Sequence, residues 1–276
     1  MKRKKRRSRT KADIITGVLY VLFGLIVLLA LYGVGRLAYV LMGTTVGNHY
    51  YAALAEKTAP NDTVDFASLS AENPEICAWV RLSDTAVDLP VVRTTDNAFY
   101  LDHLFNEKKN KVGTPFVDAG NTGDFSDRHT VIYGHALKSG AMFGSFWEYE
   151  NPNYYSRHPD ISLFLPDGRQ LTLAVFACSR VDGVRSAIPI SFPTEADFLS
   201  FIDDLHEASA FTSNVKVGAS DRIVSFCVVL PDGGEGRLLV SCKVTESGAA
   251  GVTTIAGESA EQTPQETAQP DETPEG

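Results

Sequence analysis

Eighteen consecutive residues without a charge, IITGVLYVLFGLIVLLAL from Ile14 to Leu31, follow a run, MKRKKRRSRTK, that holds eight Lys or Arg and no acid. At about 1.5 Å per residue a helix of that length nearly crosses a hydrocarbon layer of roughly 30 Å, and YGVGRLAYVL lengthens it. The pattern predicts one transmembrane helix over 13–42. A cleaved signal peptide is the competing reading, but its apolar region is usually shorter and ends at a small-residue cleavage site, whereas here apolarity runs on to Leu41. Because basic flanks stay in the cytoplasm, 1–12 is expected inside and everything after about residue 43 outside, in a single-pass membrane protein.

Charge separates the parts further. The whole chain carries −9, and the first eleven residues contribute +8, which leaves −17 for 12–276. The basic cluster therefore reads as a topology signal and a contact for anionic lipid, and no nucleic acid is expected as a partner. At the other end, 246–276 holds seven acids, no base and almost no large apolar residue, so it is expected to be a disordered acidic tail. A globular domain over 46–245 remains, large enough to bury a core.

Within it, VGNHYYAALAEKTA reads as a short amphipathic helix with Tyr51, Leu54 and Ala55 on one side. Short β-type runs follow: ICAWVRL, VDLPVV, TPFVDA, HTVIYGH, a hairpin ISLFLPDGRQLTLAVFACSRV turned by Pro166, Asp167 and Gly168, RIVSFCVV, and GRLLVSCKV after the loop LPDGGE. NAFYLDHLF and AMFGSFWEYENPNYYSRHP read as loosely helical. One clear helix interrupts the strands: Thr194 as N-cap, Asp197 three residues on, and Phe198, Phe201, Ile202 and Leu205 at i, i+3, i+4 and i+7. Many short strands without long βαβ alternation predict an antiparallel or mixed barrel.

Few residues offer chemistry. No HExxH, GxSxG, Walker or dinucleotide glycine motif is present, and the four cysteines, Cys77, Cys178, Cys227 and Cys242, have neither CxxC nor Cys/His metal spacing. No cofactor or metal is expected, and at least one thiol should be free. His135 closes an apolar strand directly after Gly134, a place where a general acid or base can meet substrate on a rigid backbone; a hydrogen-bonded surface histidine is the plain alternative. Cys227 lies near the end of a strand and Arg237 opens the next, so a hairpin can bring thiol and guanidinium to one end of a sheet. A free thiol titrates near pH 8.5 and needs such a cation to become nucleophilic at neutrality. Against this, free cysteine is among the most buried residue types.

The stretches ENPEICAWVRLSDTAVDLPVV, DNAFYLDHLFNEKKNKVGTPFVDAGN and HTVIYGHALKSGAMFG resemble the class B sortases, membrane-anchored cysteine transpeptidases of Gram-positive bacteria. The likeness covers roughly 65–245, and the helix before the penultimate strand fits class B in particular. It implies a mainly β fold, an eight-stranded β-barrel with flanking helices. It also implies a two-step acyl transfer in which Cys227 attacks a sorting motif in a secreted protein, His135 protonates the leaving amine and Arg237 steadies the oxyanion. An amine of a peptidoglycan precursor or a pilin subunit would accept the acyl group. The family ends its penultimate strand with TLxTC, whereas this chain reads IVSFCVV. Matching the thiol selects Cys227, and matching the strand without gaps puts Val229 in the nucleophile position. A tethered, non-catalytic barrel that binds sorting-signal peptides or wall components, and a peptidase that only hydrolyses, are the other readings.

Overall fold

The computed structural model describes residues 11–60, 63–182, 188–229 and 236–247. The expected basic segment lies almost wholly outside these, as do the loop 230–235 and the acidic tail beyond Ser247.

The core is an eight-stranded closed barrel built from short, largely apolar runs, most of whose residues are buried. The strands are β1 (Ile76–Arg81), β2 (Asp88–Arg93), β3 (Phe116–Val117), β4 (His129–His135), β5 (Asp160–Phe164), β6 (Gln170–Asp182), β7 (Ile223–Val229) and β8 (Gly236–Ser247), in spatial order β1-β2-β3-β4-β7-β8-β6-β5. Closure leaves no open edge. The barrel is mixed: β2 and β3 run parallel, β4 and β7 run parallel, and the other neighbours are antiparallel. TPFVDA contributes only the two residues of β3. The β5–β6 hairpin turns through Gly168 at φ 90°, a left-handed conformation that glycine adopts without steric cost.

β7 shows the period-two pattern most plainly. Val224, Phe226 and Val228 join the main core, where Phe226 packs on Phe143 and Phe146 with ring centroids 5.6 and 4.7 Å away. Ile223 and Cys227 alternate into a second apolar cluster with Val131, Leu239 and the helix α4 (Glu195–Glu207), which contributes Phe198, Ile202 and Leu205. α4 carries the expected capping box: Thr194 Oγ1 accepts from Asp197 N at 3.2 Å, while Thr194 N donates to Asp197 Oδ2 at 3.0 Å.

The amino-terminal helix α1 runs unbroken over Lys11–Thr58, so the membrane-type segment and the amphipathic segment form one element. From Ile15 on it is long and apolar enough to cross a membrane, and its side chains from Ile15 to Ala38 are exposed. Its last turns dock on the barrel. Tyr51 and Leu54 are buried, and Tyr51 Oη donates to Gly113 O at 2.7 Å and accepts from Phe105 N at 3.2 Å. A short helix that the sequence pattern did not announce, α2 (Phe66–Glu72), follows; Asp65 caps it by accepting from Ser68 N at 3.0 Å. The remaining helix, α3 (Pro152–Arg157), starts with Pro152 behind the Asn151 cap.

One polar chain crosses the barrel wall. His129 Nδ1 donates to Pro189 O at 2.6 Å, its Nε2 accepts from Ser225 Oγ at 2.8 Å, and Ser225 Oγ lies 2.8 Å from Ser241 Oγ. The three side chains are fully buried, and burial pulls the imidazole pKa down to about 4, partly opposed by the bond to Pro189. The folded state thus keeps His129 neutral while the unfolded state takes up a proton below about pH 6.5. Stability is expected to fall as pH drops from 6.5 towards 4, by up to roughly 3 kcal/mol across that window. Thermal unfolding of the full chain in detergent, followed by tryptophan fluorescence at pH 7 and pH 5, should show this slope, and His129→Gln should flatten it.

Candidate active site

The ladder around β7 sets the site. On its β4 side, Tyr133 pairs with Cys227 and His135 pairs with Val229; on its β8 side, Leu239 pairs with Cys227 and Arg237 pairs with Val229. Residues two apart on a strand face the same way. Cys227, Val229, Tyr133, His135, Arg237 and Leu239 therefore share one face, and Val229 stands in register between His135 and Arg237.

Arg237 and Cys227 do meet: Nη1 lies 4.0 Å from Sγ across the β7–β8 pair. Cys227 has no exposed surface, and burial raises its thiol pKa while the charge and hydrogen bond of Arg237 work in the opposite direction. The thiol is thus buried beside a guanidinium that favours its ionised form while burial disfavours it. His135 is one pair further along, so its Cα lies diagonally about 8 Å from that of Cys227. Val229 is half-buried at the mouth of the same face.

His135 is positioned by backbone. Its Nε2 donates to Leu101 O at 3.0 Å, a carbonyl in the 3₁₀ turn Phe99–Leu101, which leaves Nδ1 as the acceptor in the neutral ring. Burial lowers the imidazole pKa and the Leu101 bond opposes it. The close approach depends on Gly113, at φ 69°: a Cβ there would stand 2.6 Å from Tyr100 O and 3.2 Å from His135 Cδ2. Gly134 serves the other side of the strand, where a Cβ would run into the ring of Phe143. The glycine before the histidine is thus a packing requirement of the main core.

Two site residues escaped the sequence reading. Tyr133 Oη donates to Asp118 Oδ2 at 3.0 Å, and Asn97 Nδ2 donates to the same oxygen at 3.0 Å, so Asp118 is anchored beside the face that carries Cys227. Tyr133 could have been found by counting back two residues from His135; Asp118 gives no such signal. Leu101 and Phe99, both partly exposed, belong to the 3₁₀ turn whose Leu101 carbonyl holds His135, and the Phe99 ring stacks on His103. Cys77, Cys178 and Cys242 are also free thiols. Cys178 and Cys242 are buried in the main core and Cys77 packs against it, and burial raises all three pKa values.

Gly134→Ala should force Phe143 or the strand to shift, lowering stability by roughly 1–3 kcal/mol. A fall in the melting temperature together with altered His135 imidazole chemical shifts would show that both sides of this strand are coupled; an unchanged melting temperature would refute the packing role.

No family model matches the chain. Sortase B of Listeria monocytogenes is 31% identical over 182 residues, spanning 65% of this chain and 74% of that protein. The solved structure of Bacillus anthracis sortase B is similar with a TM-score of 0.67 at 25% identity, covering 75% of this chain and 100% of that one. A Staphylococcus aureus sortase B–substrate complex has the same fold, with a TM-score of 0.66 at 24% identity over 74% of this chain and 99% of that one.

Proposed function

This chain belongs to the sortase B family of cysteine transpeptidases, and from that premise we propose that it cleaves a sorting motif in secreted proteins at the outer face of the membrane and transfers the acyl product to an amine. α1 is the anchor, with the basic terminus inside and the barrel outside. The substrate class is supported by the capture of the Staphylococcus aureus relative with a substrate.

In this reading the Cys227 thiol gives its proton to His135 and its sulfur attacks the backbone carbonyl of the motif. Arg237 donates hydrogen bonds to the oxyanion, and His135 passes the proton to the leaving amine as the C–N bond breaks. A peptidoglycan-precursor or pilin amine then attacks the thioester, releasing the thiol and closing the cycle. The observation that carries this reading is the Arg237 guanidinium held 4.0 Å from the Cys227 sulfur. That juxtaposition supplies the cation a buried thiol requires. Substrate must open a path to the sulfur, because Cys227 has no exposed surface in the resting site.

A second reading is favoured by a separate observation: Val229, not Cys227, pairs with both His135 and Arg237, and it is the residue at the mouth of the face. A domain with valine there would hold a sorting-signal peptide or a wall component without cutting it.

The full chain in detergent, given a quenched-peptide library of sorting motifs and an acceptor amine, separates the two. For the transpeptidase, wild type cleaves and Cys227→Ala loses at least about 100-fold in kcat/KM, as removal of a covalent nucleophile requires. Cleavage that persists in Cys227→Ala sinks the assignment. A wild type that binds without cutting, together with cleavage by Val229→Cys, establishes the holding domain instead.

A further inference from the structure

Where α1 leaves its apolar stretch, a cavity of about 260 Å³ opens between the helix and the loop after the 3₁₀ turn. Its floor is Met42, Gly43 and Val46, and its rim is Lys109 and Lys111. The loop is pinned there: Asn110 Nδ2 donates to Gly43 O at 2.9 Å, and Val112 packs so close to Gly47 that a Cβ on the glycine would stand 2.7 Å from it. Met42 and Val46 are 68% and 60% exposed, an apolar surface left uncovered by the described residues.

Height and charge identify an occupant. From Ile14 to Met42 the helix rises about 43 Å, the thickness of a bilayer with both headgroup layers, so the cavity stands at the level of the outer headgroups. Arg36, the sole Lys, Arg, Asp or Glu between Ile14 and Ala55, lies seven residues before Gly43. Seven residues are two helical turns, which put Arg36 on the cavity's side of α1, about 10 Å nearer the hydrocarbon, where a long cationic side chain reaches up to phosphate. Lys109 is 77% exposed and its Nζ is 3.2 Å from Asp102 Oδ2, an exposed pair that a lipid phosphate can displace. Glu107 is the other acid on this loop. Residues 12–276 carry −17 overall, so an anionic membrane repels the domain as a whole and any attraction must be local to this rim.

We propose that this cavity binds the headgroup of an anionic phospholipid from the membrane in which α1 sits. Lys109 and Lys111 hold the phosphate from above, Arg36 from below, and the acyl chains run down the exposed apolar side of the helix from Met42. The inference rests on the membrane anchoring proposed above and does not depend on which residue serves as nucleophile. Its consequence is orientation, since a lipid clamped between helix and loop fixes how the barrel leans over the bilayer.

The full chain would be reconstituted in nanodiscs of phosphatidylcholine alone or with phosphatidylglycerol, and its lysines acylated by an amine reagent. Lys109 and Lys111 should react about fivefold more slowly in the anionic discs, while Lys138 and Lys216 keep their rates. Lys109→Gln/Lys111→Gln should retain less phosphatidylglycerol on purification than wild type. Equal lysine reactivity in both discs with the chain inserted overturns the site and leaves the anchor standing. Failure to insert in either disc overturns the anchor and the site with it. Equal protection by inorganic phosphate in neutral discs overturns the lipid assignment in favour of a free-anion site.

Discussion

The hydrogen-bonded register of β7 between β4 and β8 governs this molecule. β7 runs parallel to β4 and antiparallel to β8, so its place along the barrel is held by two hydrogen-bonded ladders at once. The alternation of Val224, Phe226 and Val228 into the main core, with Ile223 and Cys227 on the opposite face, locks that register further, because a one-residue slip would exchange the faces. His135, Arg237 and the residues of β7 that face them have their relative positions set by backbone before any side chain is considered.

The same ladder explains how the sulfur of Cys227 and the mouth of the site come to lie on different rungs. A two-residue step keeps a side chain on its face and moves it about 6.6 Å along the strand. Cys227 sits on the inner rung with Tyr133 and Leu239, under the cover of the α4 layer, and Val229 sits on the outer rung with His135 and Arg237. Arg237 spans the two by reaching back along β8 to the thiol. A long side chain can cross a rung that a strand cannot.

Much of this was legible in the sequence because it is local. The apolar β-type runs HTVIYGH and RIVSFCVV announce their strands, and Thr194 with Asp197 announces the start of α4. His135 and Arg237 could be named, but their partners could not, because Leu101 O and Gly113 reach His135 from segments 34 and 22 residues away in the chain. Pairing order and the two parallel junctions depend on closure of the whole barrel, which no window of residues encodes. α2 escaped because seven residues offer barely two turns of periodicity; its signal was the Asp65 cap with Ser68 three residues on. Asp118 carries no local signal because Tyr133 and Asn97, which converge on it, lie 15 and 21 residues away in the chain.

α1 passes from the apolar stretch to the barrel without a break, and Tyr51 and Asn110 tie its far end to the domain. Such a mast has a phase as well as a length. In the anchored arrangement proposed above, each residue added to or removed from it before Tyr51 would turn the barrel by about 100° and shift its height by about 1.5 Å, so the compass bearing of the face that carries His135 and Arg237 around the membrane normal would be written in the residue count of a helix remote from that face.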